Sequence, residues 1–221
     1  MPRNKYPEET VKKILDVSLK LFLEKGFEQT TVLDIVNNLG GLTRGAFYHH
    51  FKSKEEVLEA LTERLFSETN PMEKVKQEKG LNGLDKLRLL MKQSVVEGFA
   101  DEKKVALDKI ALPLLSNPRF LAMHVKGIQE AALSIIPFIE EGMADGSIRP
   151  RNAKVLADLF MLLFSFWMIP TIYPCDDDEA GDRIMVIKEM LDACGFPLLD
   201  EDLLESLENL AALEYLLPKS E

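Results

Sequence analysis

Apolar residues near the start of the chain recur at intervals of three and four. Val11, Ile14, Leu15, Leu21 and Phe22, with Ser18 among them, form one stripe and predict a helix from Pro7 to Lys25. Pro7 suits a first turn, Glu8 and Glu9 complement the positive end of the helix dipole, and Gly26 supplies the stop. Thr31 then caps a second helix, with Asp34 as the capping-box acid, Ile35 and Leu39 facing inward and Gly40-Gly41 ending it. Thr43 caps a third. Ser53 and Glu56 form an S-x-x-E box that opens a fourth, whose buried stripe is Val57, Leu58, Leu61 and Leu65.

The remainder carries the same period and no strand-like alternation, so the expected fold is all-α. A fifth helix is expected over Leu81–Ala100 and a sixth over Lys103–Leu115, broken by Pro113. Asn117-Pro118 opens a long seventh with a kink at Pro137, followed by a turn from Gly142 to Pro150. The eighth, about Asn152 to Met168, is apolar nearly all round. It must be covered on every side, in part by a second subunit. After an acidic loop from Cys175 to Glu179, a ninth over Gly181–Cys194 and a tenth over Asp202–Leu217 finish the chain. The short junction Lys52-Ser53-Lys54 leaves little slack, so movement of the fourth helix must carry the third with it.

Composition narrows the function. The 46% apolar and 29% charged residues fit a folded soluble protein rather than a disordered or membrane one. No secretory signal opens the chain, and no run reaches the roughly 20 apolar residues that span a bilayer. A cytoplasmic protein is expected. Cys175 and Cys194 have neither a CxxC partner nor a nearby His pair, which argues against zinc. Neighbouring aspartates disfavour a Cys175 thiolate, which argues against a redox sensor. The net charge is −10, but residues 1–54 carry +3 and residues 55–221 carry −13. A basic head on an acidic body keeps phosphate attraction local.

On the third helix, Arg44, Tyr48, Lys52, Gly45 and His49 fall on one arc of about 140°. Thr43, Ala46 and Phe47 lie opposite. Glycine on a solvated helix face costs about 1 kcal/mol relative to alanine, whereas a face pressed against a phosphate backbone gains close approach. Arg44 has the fork that reads guanine O6 and N7, and Tyr48 and His49 suit phosphate oxygens. His50 lies off the arc, where packing and DNA contact are equally open. Histidines at i,i+1 do not make a metal site, and none is expected.

The string from Thr31 to Leu58, with T-V-x-D-I and then G-x-T-R-G-x-F-Y-H-H-F-K-S-K-E-E-V-L, resembles the DNA-binding head of the TetR family of one-component regulators. The resemblance implies an N-terminal three-helix helix-turn-helix head and a larger C-terminal helical domain for ligand binding and dimerisation. The expected domains are 1–52 and 53–221. It further implies a cytoplasmic homodimer that binds a palindromic operator in double-stranded DNA, commonly as a repressor released by a small effector. DNA contacts are implied for Thr31, Arg44, Gly45, Tyr48, His49, His50 and Lys54, with Thr43 beside them at the helix start. Between Ile35 and Gly45 the chain has one residue more than the commonest family spacing, through the extra glycine at 40 or 41.

Phe99, Phe120, Met123, His124, Phe160, Phe164, Trp167 and Met168 lie on helices that surround the ligand in that family. Such residues at helical spacing also serve as ordinary core. Only His124 and Trp167 combine an apolar setting with a polar handle. The lining suggests a small hydrophobic or amphipathic effector. No G-x-S-x-G, phosphate loop, H-E-x-x-H or Cys–His pair at catalytic spacing is present, so neither an enzyme nor a cofactor is expected.

Overall fold

The computed structural model describes residues 7–69, 71–96 and 102–209. Among the described residues the protein is all-α. The helices are α1 Pro7–Lys25, α2 Val32–Asn38, α3 Arg44–His50, α4 Lys54–Thr69, α5 Pro71–Gln77, α6 Gly83–Met91, α7 Glu102–Ala111, α8 Pro118–Asp145, α9 Ala153–Leu162, α10 Asp177–Ala193 and α11 Glu201–Asn209. Two of them run on into π-helical turns: α6 through Lys92–Val96 and α9 through Leu163–Trp167. The chain divides into two compact units. One is Met1–Asn70 with Lys103–Ala111, and the other is Pro71–Glu102 with Leu112–Glu221.

In the first unit α1 buries Ile14, Leu15, Ser18 and Phe22 along its predicted stripe. Ile35, Val36 and Leu39 from α2 and its end, Phe47 from α3, and Val57, Leu58 and Leu61 from α4 complete a small core. Gly40 and Gly41 both sit at positive φ, 60° and 99°. Two consecutive left-handed residues are accessible to glycine at little cost, and they absorb the extra residue of this turn. The third helix ends sooner than the wheel assumed: Phe51 is extended and buried, so Lys52 lies beyond α3 and off its face.

In the second unit α8 packs against α6 and α9 over a core that includes Leu84, Leu87, Ile135, Phe138, Ile139, Leu156, Ile187 and Phe196. Helix α8 runs unbroken through Pro137. The carbonyl that loses its donor there belongs to Leu133, which is 57% exposed, so solvent can satisfy it. Several sequence boundaries moved. α5 was not anticipated, because its seven residues are too few to show a period. The expected sixth helix stops at Ala111, and Pro113–Ser116 form a 3₁₀ turn. The acidic stretch read as a loop is the first turn of α10: Asp176 caps it by accepting from the Glu179 amide at 2.9 Å, and acids favour that end of the dipole. Residues 97–100 of the fifth helix and 210–217 of the tenth lie outside the described residues.

Candidate nucleic-acid interface

The helix-turn-helix is fixed by side-chain caps at both of its helices. Thr31 Oγ1 accepts from the Asp34 amide at 3.1 Å, and Asp34 Oδ2 accepts from the Thr31 amide at 2.8 Å and its hydroxyl at 2.6 Å. The same carboxylate oxygen receives Lys25 Nζ at 2.8 Å, tying the end of α1 to the start of α2. The Lys25 ammonium, and after it the Thr31 hydroxyl and amide, hold the Asp34 carboxyl well below the usual carboxylate range. No local spacing signals the Lys25 pair, since its partner lies across the turn. Thr43 Oγ1 accepts from the Ala46 amide at 3.2 Å and starts α3.

Phe47 anchors α3 with no exposed surface, its ring edge-on to Tyr48 at 5.5 Å and tilted to Phe51 at 6.1 Å. Arg44, Gly45, Tyr48 and His49 are all exposed. The Arg44 guanidinium lies 5.5 Å from the Tyr48 ring centroid, an arrangement that holds both outward. A Cβ added at Gly45 would meet only Thr43 Oγ1, at 3.8 Å. Nothing among the described residues therefore requires a glycine there.

His50 is half-buried with its ring 5.3 Å from that of His49. Burial, and to a smaller degree the neighbouring His49, push its pKa down. A histidine lowered in the folded state is protonated first in the unfolded chain, so stability is lost as pH falls through the ordinary histidine range. The melting temperature should therefore fall between about pH 7 and pH 5, and fall less in His50→Gln. Parallel pH profiles for the two proteins would contradict this. Lys54 points elsewhere: its Nζ donates to the carbonyls of Phe27 at 2.7 Å and Glu28 at 3.1 Å.

The residues expected at an effector site gather in the second unit. Phe120 is buried, and Met123 and His124 are half-buried on the same helix. His124 Nε2 lies 2.7 Å from the Ser165 carbonyl; a carbonyl only accepts, so Nε2 carries the hydrogen. The Phe160 and Phe164 rings lie 5.1 Å apart and tilted to each other, and both pack, with Trp167 and Met168, against the unit's core. Phe99 lies outside the described residues. Sequence reasoning missed Arg183. This residue is 6% exposed, sits 5.6 Å from the Trp167 ring centroid, and donates to the carbonyls of Trp167, Tyr173 and Pro174 and to Glu179. The His124 imidazole and the Arg183 guanidinium are therefore both already bonded to the protein's own backbone. Among the described residues no group of three or more His, Cys, Asp and Glu could hold a metal, and no helix is long and apolar enough to cross a membrane.

An exposed, capped helix following a turn and a supporting helix defines a helix-turn-helix DNA-binding protein. The family model described as bacterial regulatory proteins, tetR family, matches residues 14–61. The HTH-type transcriptional repressor KstR2 of Rhodococcus jostii is 30% identical over 153 residues, which cover 67% of this chain and 72% of that protein. The HTH-type transcriptional regulator YerO of Bacillus subtilis is 38% identical over 49% of this chain, a match spanning only 36% of YerO. Among solved structures, SmeT, the repressor of the Stenotrophomonas maltophilia multidrug efflux pump SmeDEF, is 25% identical with a TM-score of 0.59, covering 86% of this chain and 92% of that one. A complex of SmeT with triclosan gives 26% identity, a TM-score of 0.58 and 91% coverage of both chains. The chain belongs to the TetR family of transcriptional regulators.

Proposed function

We propose that this protein is a cytoplasmic homodimeric repressor that binds a palindromic operator and leaves it when a small hydrophobic or amphipathic effector binds. DNA binding is assigned to residues 1–52, and effector binding and dimerisation to residues 53–221. The observation that carries the reading is the exposed row Arg44, Gly45, Tyr48 and His49 on a helix anchored by fully buried Phe47. Arg44 reads a base edge. Thr31, Thr43, Tyr48, His49 and His50 meet phosphates or line the approach to them, and Gly45 lets the backbone come close.

Dimerisation is supported by apolar side chains left uncovered on the second unit. Val155 and Leu162 lie two turns apart on the same face of α9, 59% and 53% exposed, and Met185, Val186 and Met190 are exposed on α10. A second copy covering them would present two copies of α3, and successive major grooves require about 34–36 Å between these. An apolar effector is supported by Phe120, Met123, Phe160, Phe164, Trp167 and Met168, and by the relative solved with triclosan. An effector that moves the operator from nearly all bound to nearly all free must prefer one state by about 5.5 kcal/mol.

Selection of bound duplexes from a random pool by the purified protein tests the reading. A palindrome with half-sites about one helical turn apart is expected, and enrichment of no sequence would overturn it. Gly45→Ala separates the fold from the interface. Alanine should raise helix stability by up to about 1 kcal/mol while weakening operator affinity. A variant both more stable and unimpaired on DNA would remove the close-approach role.

A further inference from the structure

We infer that Lys54 is a positioning residue that fastens the α1–α2 turn to the start of α4, so that the head helices follow α4 as one body. This rests on the proposed role of α3 in reading DNA. Lys54 is the first residue of α4, where a cation is disfavoured by the helix dipole. Its ammonium turns away to the carbonyls of Phe27 and Glu28, just beyond the C-terminal end of α1, where positive charge is favoured. It also lies 4.4 Å from the Phe27 ring centroid. Two of its three donors are thus committed, and moving to a phosphate would break both bonds.

The turn it grips is rigid. The Phe27 ring is buried edge-on against Phe22 at 5.0 Å, and the Phe27 carbonyl also accepts from the Thr30 amide at 3.2 Å. The Thr30 hydroxyl, fully buried, donates to the Gly26 carbonyl at 2.7 Å. Thr31, the cap of α2, follows directly. On the other side, the Glu56 carboxylate accepts the Lys52 amide at 2.7 Å, fastening α4 to the exit of α3. The start of α4 therefore holds the head at two points: the end of α3 through Glu56, and the entrance to α2 through Lys54. A swing of α4 then carries α2 and α3 together instead of bending the junction at Lys52-Ser53.

The test compares unsubstituted protein with Lys54→Met and Lys54→Arg, each corrected for active fraction, on the selected operator over a range of salt. Lys54→Met should lose about tenfold in affinity with an unchanged slope of log K against log salt, and arginine, which can bridge both carbonyls, should restore it. Loss of a true phosphate contact instead lowers that slope by about 0.9 and overturns the inference, as does unchanged affinity. If Lys54→Met fails to fold, lysine-¹⁵N-labelled unsubstituted protein on the operator decides. Coupling of Lys54 Nζ to a ³¹P nucleus overturns the inference, and its absence supports it. If the unsubstituted protein binds no duplex, the DNA reading itself fails. Amide exchange over residues 27–31 in the free protein still reports the tie: faster exchange in Lys54→Met supports it, and unchanged exchange overturns it.

Discussion

Replacing Gly83 with alanine should lower the melting temperature by about 6–12 °C, a loss of about 3 kcal/mol at the upper end of overpacking costs. Gly83 opens α6 against the last turns of α8, and its amide donates to Asp145 Oδ2 at 2.8 Å. A Cβ there would stand 2.1 Å from the Gly142 nitrogen and 2.4 Å from the Phe138 carbonyl oxygen. These are backbone atoms that no rotamer change can withdraw, so the two helices must separate. The separation would also strain the Lys86–Glu141 ion pair at 2.6 Å. Gly127, in the middle of α8, is the control: a Cβ there meets nothing within 4 Å, so Gly127→Ala should stabilise the protein by about 0.5–1 kcal/mol. Circular-dichroism melts of the two variants should therefore move in opposite directions. A Gly83→Ala melt coinciding with that of the unsubstituted protein would show that α6 and α8 do not cross here.

Phe47→Ala should cost about 3–5 kcal/mol, because a fully buried aromatic is removed from a small core. The consequence for DNA is larger than for the molecule as a whole. Helix α3 has seven residues, too few to persist without tertiary anchoring, and Phe47 is its buried residue. The ring also supports Tyr48 and Phe51. Specific operator binding should fall to the level of random DNA, while the second unit, which shares none of this core, should keep its own thermal transition. Titration of the selected duplex by fluorescence anisotropy measures the first, and calorimetry the second. Retention of full affinity would mean that α3 is not the element that meets DNA.

The parts of the fold legible in the sequence are those written within a few residues of one another. Thr31 with Asp34, Thr43, and Asn117 before Pro118 announce helix starts, and the structure forms each cap, the side chains accepting from the amides of Asp34, Ala46 and Arg119. The stripe of α1 and the exposure of Arg44, Tyr48 and His49 follow from period and wheel alone. What the sequence hides is contact between distant residues. Gly83 and Gly142 look like ordinary loop or helix glycines until α6 and α8 cross. Arg183 reads as a charge on a wet helix, yet it is buried and bonded to three carbonyls that no side-chain pattern can reveal. Lys54 carries a family motif position, but its partners are backbone atoms of residues 27 and 28. The π turns at Lys92–Val96 and Leu163–Trp167 likewise leave no mark in the hydrophobic period.

The central claim is that the outward face of α3 lies against the duplex. A photo-crosslinking amino acid at position 48, which is 43% exposed, probes it directly, with position 133 on α8, 57% exposed, as the control. With the selected operator, crosslinks from position 48 to bases or backbone within the half-site are predicted, and none from position 133. Crosslinking from position 133 alone, or from neither position under conditions where the duplex is fully bound, would contradict the assignment of α3 as the DNA-reading helix.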